Sequence, residues 1–315
     1  MNTNMKSKLM EMKDAVKEIP EEGAELALGG FAITRNPIAF VNELIRQRKR
    51  GLKLYQIIGS MDADLLVGAG CVKSYTYSGG SLDKFGKLNR VNRAIESGKI
   101  QVKEYSGLSI SLRFLAGSLG IPFIPTKTLL GTDILRNLVK NKDKSVKVTT
   151  SPFTGEKIVL LRSLQVDYAV IHAQYADERG NVIIEGPAWD IELAKSAKKL
   201  FVTVEKVVSN EYMKQHPEKV AIPGIFTHAI IEAPYGAFPT SVYKIYDYEG
   251  DCLSKYAQIN NNDDVFNDYL KKYILDTKNH FEFLEKTVDL EKLFKLQADP
   301  VFGYHVEGDN YEQKE

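Results

Sequence analysis

Residues 26–37, LALGGFAITRNP, run an apolar strand, a paired-glycine turn, an arginine and a helix start together without a break. Proteins with alternating strands and helices build anion sites this way, because the turn lets the backbone double back and the next helix aims its unpaired N–H groups at the loop. Gly29 and Gly30 form the turn, Asn36 reads as the N-cap and Pro37 as the first helical residue. Those helix donors suit a phosphate, a carboxylate or the oxyanion of a thioester carbonyl, and Arg35 adds a charged fork beside them. The same pattern also serves as a plain tight connection, and Arg35 could equally pair with a nearby acid.

A second cluster follows the next strand but one. Ser78, Gly79, Gly80 and Ser81 stand at its carboxyl end, where open α/β sheets place ligands, and their hydroxyls suit a substrate carboxylate. Arg90 lies just beyond and could do the same work, although small polar residues are also ordinary loop composition.

Other chemistries find little support. The pair Gly68 and Gly70 begins a GxGxxG pattern, but Lys73 occupies the third glycine position and the pair precedes a strand. No GxxxxGK[ST] or GxSxG occurs. His172 and His228 lack a nucleophile partner and read as structural. Cys71 and Cys252 form no metal-ligand spacing, so no metal is expected. Glu185, in IIEGPA, is the nearest approach to a nucleophilic carboxylate, and the ordinary reading of a polar residue at a strand end is stronger.

The elements that must position these groups alternate. Strands are expected at 25–28, 53–58, 72–77, 101–105, 168–173, 181–184, 200–205 and 227–232. A helix over 37–50 places Ile38, Val41, Leu44 and Ile45 on one face, and its basic end suits a helix C-terminus. Residues 140–147 read as a solvated loop. From about 251 the pattern turns helical, with helices over 265–275 and 281–293. The expectation is one domain over 1–315: an open, mainly parallel α/β sheet with flanking helices and a helical C-terminal part.

Forty-two basic and forty-one acidic residues leave a net charge of +1, so no global field favours nucleic acid or an anionic membrane. The amphipathic, mixed-charge start and the lack of long apolar runs point to a cytoplasmic protein.

Several segments, in order, resemble the A (alpha) chain of the family I coenzyme A transferases, of the glutaconate type. They are LALGGFAITRNPIAFVNELIRQ, SGKIQVKEYS, GIPFIPTKTLLGTD, the run from VDYAVIHAQ to FVTVEKVVSNE, IPGIFTHAIIEAPYGAFPTSVYKIYDYE and VFGYH. The resemblance implies an open α/β fold and a site shared with a B (beta) subunit in equal numbers. It implies a coenzyme A thioester as substrate, a carboxylic acid acceptor and no other cofactor. The nucleophilic glutamate would lie on B, and this chain would contribute its Gly29-Gly30-Phe31 turn, whose backbone donors would face the oxyanion. Residues 78–89 depart from the glutaconate type, and Phe238 stands where a histidine is expected, so the acid is open among dicarboxylic, 3-oxo and larger aromatic or alicyclic acids. The same fold also implies two alternatives: a coenzyme A-dependent ring-opening hydrolase of steroid breakdown, and a non-catalytic interaction protein.

Overall fold

The computed structural model describes residues 7–304. Twelve strands are present among them: β1 (Glu25–Leu28), β2 (Leu52–Tyr55), β3 (Val72–Tyr77), β4 (Gln101–Glu104), β5 (Phe123–Thr126), β6 (Val146–Thr150), β7 (Lys157–Arg162), β8 (Val166–Asp177), β9 (Val182–Ile183), β10 (Ala197–Val208), β11 (Val220–Ile222) and β12 (Thr227–Glu232). Apolar residues alternate with polar ones in β2 and run continuously through the centre of β8 and β10, where the sheet is covered on both faces.

The main sheet runs β12-β10-β8-β1-β2-β3-β4, all parallel. The chain starts at β1 and moves outward through β4, then returns to β8 and moves the other way. The strand order therefore reverses between β1 and β8, the position at which open parallel sheets leave a crevice. β8 is three times as long as β1, and its far end pairs with the short antiparallel β9 beyond the end of β1. The segment leaving β9 is thus carried directly over the turn that follows β1.

Leu26 and Leu28 face one core layer, with the helices Ile38–Arg46 and Met61–Gly68, while Ala27 faces the other, with the helix Gly107–Ser118. The helix expected over 37–50 spans Ile38–Arg46, and Phe40, Asn42 and Glu43 are buried along with its expected apolar face, because the C-terminal helices cover its remaining side. Its basic end is structural: Arg46 Nε donates to Ile274 O at 3.0 Å and Lys49 Nζ to Ile19 O at 2.5 Å.

Two expectations change. β5, β6 and β7 form a separate antiparallel sheet in the order β5-β7-β6, which takes up the end of the expected 140–147 loop. The expected helix over 281–293 is two helices, His280–Thr287 and Leu290–Lys295, because Val288 turns extended and Asp289 caps the second.

His280 couples this C-terminal part to pH. Burial, its largest influence, lowers its pKa from 6.5 to about 4; Nε2 donates to Pro234 O at 2.9 Å, and Nδ1 has no partner among the described residues. Between those values the unfolded chain binds the extra proton, so the contribution is complete above pH 6.5 and lost as pH falls towards 4. His280→Phe is expected to remove roughly 3 kcal/mol of the stability lost over that range, read as a flatter curve of urea midpoint against pH. An unchanged curve would contradict it.

Candidate active site

At the β1/β8 crevice Gly29 N–H continues the sheet by donating to Val170 O at 2.8 Å. A Cβ on Gly29 would lie 2.5 Å from Asp190 Oδ2 and 2.7 Å from Ile171 Cγ2, so only glycine lets the segment after β9 come this close. Gly30 has φ +87 and donates to Asp190 Oδ2 at 3.0 Å; Phe31 N–H donates to Thr34 O at 2.9 Å. The three donors expected to face an oxyanion therefore have acceptors within the chain. The next two N–H groups of the turn, on Ala32 and Ile33, are without an acceptor among the described residues.

Arg35 is corrected in the same way. It is 2% exposed and forms a fork with Asp190, Nη2 to Oδ1 at 2.8 Å and Nη1 to Oδ2 at 3.1 Å, while Nη1 also reaches His172 O at 3.0 Å. Burial pushes the Asp190 carboxyl up, but Arg35 and the Gly30 N–H outweigh it and hold it below the usual range. Arg35 thus ties β8 to the turn, and its charge is met by a buried acid rather than a surface one. The helix start is also closed: the helix begins at Ile38, Asn36 N–H donates to Thr240 Oγ1 and Ala39 N–H to Gly236 O. The loop after β12 covers the N-terminus that the sequence pattern left open.

A cavity of about 430 Å³ opens beside the turn. Phe31, Thr34 and Arg35 form one wall, Glu185, Pro187 and Trp189 a second, and Ser241, Tyr243, Tyr246 and Asp247 a third, with Gly303 and Tyr304 at the edge. Trp189 stacks on Phe31 with ring centroids 5.6 Å apart, and the two are 52% and 37% exposed, so an aromatic surface faces outward at the cavity. Beneath it Tyr246 donates to Glu205 Oε1 at 2.8 Å, and the same oxygen meets His172 Nε2 at 2.7 Å. Thr203 Oγ1 lies 2.9 Å from His172 Nδ1, so this buried histidine is fully partnered and structural. Glu185 lies 3.7 Å from Lys244 Nζ.

The second cluster is on the same carboxyl edge but two strands away, and it lines no part of this cavity. Ser78 Oγ donates to Ile57 O at 2.5 Å, Gly80 bridges Gly59, and Ser81 Oγ accepts from Asp83 N–H at 3.1 Å. Arg90 is a correction: its Nε donates to Asn260 O at 2.6 Å, its Nη1 pairs with Asp263, and its guanidinium lies 4.9 Å over the Phe266 ring. It fastens the C-terminal helices. Phe238 is fully buried in the core. Asp190, Trp189, Tyr243 and Tyr246 were not legible as site residues. Their only signals were an aspartate before a helix, which reads as a cap, and the one tryptophan of the chain.

Among the described residues there is no cluster of metal-ligating side chains, and no helix is long and apolar enough to cross a membrane.

Known proteins share this fold. The coenzyme A transferase family model matches residues 9–233. The A chain of glutaconate CoA-transferase from Acidaminococcus fermentans is 35% identical over 96% of this chain and 98% of its own length. The crystal structure of that enzyme superposes with a TM-score of 0.88 at 34% identity, covering 96% of this chain and 99% of the matched one. The A chain of 3-oxoadipate CoA-transferase from Pseudomonas knackmussii is 30% identical over 90% of this chain and 99% of its own length. The crystal structure of the decarboxylase AibA/AibB matches with a TM-score of 0.74 at 30% identity, over 85% of this chain and all of the matched one. The fold that holds the reversal between β1 and β8 is accordingly that of a known enzyme family, and this chain belongs to the coenzyme A transferases.

Proposed function

We propose that the chain is the alpha component of a heteromeric acyl-CoA:carboxylate CoA-transferase of the glutaconate type. The observation that carries this reading is the open, aromatic-walled cavity at the strand reversal, whose own acids are already engaged. Asp190 is locked to Arg35, Glu185 faces Lys244, and Asp247 accepts the Tyr248 N–H at 2.7 Å. A wall with that composition can hold an acyl group but offers no free nucleophile, which suits a chain whose reacting glutamate comes from a partner.

In that chemistry the partner's glutamate carboxylate attacks the acyl-CoA carbonyl, the C–S bond breaks, and coenzyme A leaves as a thiolate from a mixed anhydride. The thiolate then attacks the glutamyl carbonyl, releasing the first acid and leaving a glutamyl thioester. An acceptor carboxylate repeats the sequence in reverse. This chain shapes the acyl site with Phe31 and Trp189, and the unpaired Ala32 and Ile33 N–H groups are the donors left for the developing oxyanion. The Ser78 to Ser81 loop borders the same edge and stays a candidate for the far end of the acid.

Co-expression with the adjacent B-type chain, followed by exchange from acetyl-CoA to a panel of carboxylic acids and borohydride trapping, tests the reading. Exchange that needs both chains, with the trapped glutamyl thioester on the partner, is expected. Turnover by this chain alone would sink it. An assembled complex that instead consumes a cyclic acyl-CoA without an acceptor acid would establish the ring-opening hydrolase.

A further inference from the structure

On the sheet face that carries the small β5-β7-β6 sheet there is a second and larger cleft, of about 870 Å³, between β4, residues 141–145 and residues 162–167. Arg113, from the helix Gly107–Ser118, lines it and is only 7% exposed. Its Nε donates to Arg162 O at 3.0 Å and its guanidinium lies 4.7 Å over the Tyr105 ring. Those contacts use one edge and one face of the group. Its two terminal nitrogens have no acceptor, and no acid pairs with it, among the described residues.

Those nitrogens open onto the solvent of the cleft rather than into the core, so the guanidinium presents a free charged edge to whatever enters it. The acids around the cleft do not meet that edge, because each of three is held by a lysine: Asp143 by Lys103 at 2.7 Å, Asp167 by Lys198 at 2.7 Å, and Glu25 by Lys53 at 3.1 Å. Lys142, Lys144 and Arg162 add positive charge at the rim, with Glu104 against them. Tyr55 lines the same cleft. Burial pushes its hydroxyl up to about 12, with the Arg113 charge pulling the other way, so at neutral pH it is a hydrogen-bond donor.

We propose that this cleft is an anion-binding site, separate from the acyl cavity, that takes a small molecule bearing a carboxylate or phosphate. The terminal nitrogens of Arg113 grip the anion as a fork, with the Tyr55 hydroxyl alongside. The cleft has the size of an ordinary metabolite site, and its polar walls suit a hydrophilic molecule. The proposal does not depend on the transferase reading, since none of its residues belongs to the acyl cavity.

Calorimetric titration of the full-length chain, alone and with its partner bound, with pyrophosphate and with succinate tests it and separates the two anion types. Saturable binding of one probe is expected in both states, weakened at least about tenfold in Arg113→Met. Tyr55→Phe removes only a hydroxyl and is expected to weaken the same probe several-fold, which guards against a folding defect in the arginine variant. The proposal fails if neither probe saturates by about 10 mM, or if Arg113→Met binds as the parent does. Binding by the isolated chain that vanishes on assembly would also overturn it, since the cleft would then be a socket for a partner's acidic side chain.

Discussion

Asp190→Ala is expected to cost about 3–5 kcal/mol of stability, the largest effect of any single substitution at the cavity, because it strands a buried arginine. Three contacts disappear together: the two arms of the Arg35 fork and the bond from Gly30 N–H. Arg35 cannot move to water without unseating the turn, whose backbone at Arg35 is itself left-handed, with φ +54. A urea midpoint comparison measures the loss. The double variant Arg35→Met with Asp190→Leu discriminates cause from coincidence. It removes both charges and is expected to regain most of the stability, since well-packed apolar groups often replace a buried pair at little cost. If the double variant is as unstable as the single one, the orphaned charge is not the reason. Because Asp190 also carries a carboxyl held low, its contribution is present at neutral pH and is lost as pH falls through its folded value.

Asp64→Ala is expected to cost a similar amount, about 3–5 kcal/mol, by a different route. Asp64 is fully buried and accepts four hydrogen bonds, from the backbones of Arg90 and Val91 at 3.0 Å each, from Tyr256 Oη at 2.9 Å and from Asn260 Nδ2 at 3.0 Å. It is the knot between the helix Met61–Gly68, the helix Asn89–Glu96 and the C-terminal helices. Limited proteolysis should therefore cut the variant near 246–262 before the rest of the chain, and uniform cleavage would refute the role. Its pH dependence has the opposite sign to that of His280. Burial raises the carboxyl to about 6, against the pull of its four donors, so the folded state holds a proton that the unfolded state has already released. The contribution is complete below the ordinary value of 3.8 and is eroded as pH rises through about 6. The stability gap between the parent and Asp64→Ala should widen as pH falls from 8 to 5.

Most of the parallel strands were legible because they are short and bounded by turn residues, so that 25–28, 72–77 and 227–232 could be marked at their true limits, while the twelve-residue β8 and β10 were marked only over their apolar centres. β5 and β6 were not, since Pro125 argues against the first and the lysine and threonines of the second lack the apolar run of a buried strand; β7 does carry such a run, Ile158 to Leu161, and went unmarked beside them. The Gly29-Gly30 turn could be located from local pattern alone. What its donors do could not, because the acceptors are distant in sequence: Gly29 N–H meets Val170 O, and Gly30 N–H meets Asp190, 160 residues away. The same limit explains Arg35 and Arg90. A charged side chain near a glycine turn looks available until the fold brings its partner, and both partners here are carboxylates more than 150 residues distant.

The stacked pair at the cavity has one more consequence. Trp189 is the only tryptophan in the chain, and it is half exposed beside the turn. Its indole emission therefore originates from a single place, and excitation near the red edge of protein absorbance reports on that place without any label. The chain carries its own optical probe at the mouth of the cavity proposed to hold the acyl group, one that shifts as the surrounding water is displaced.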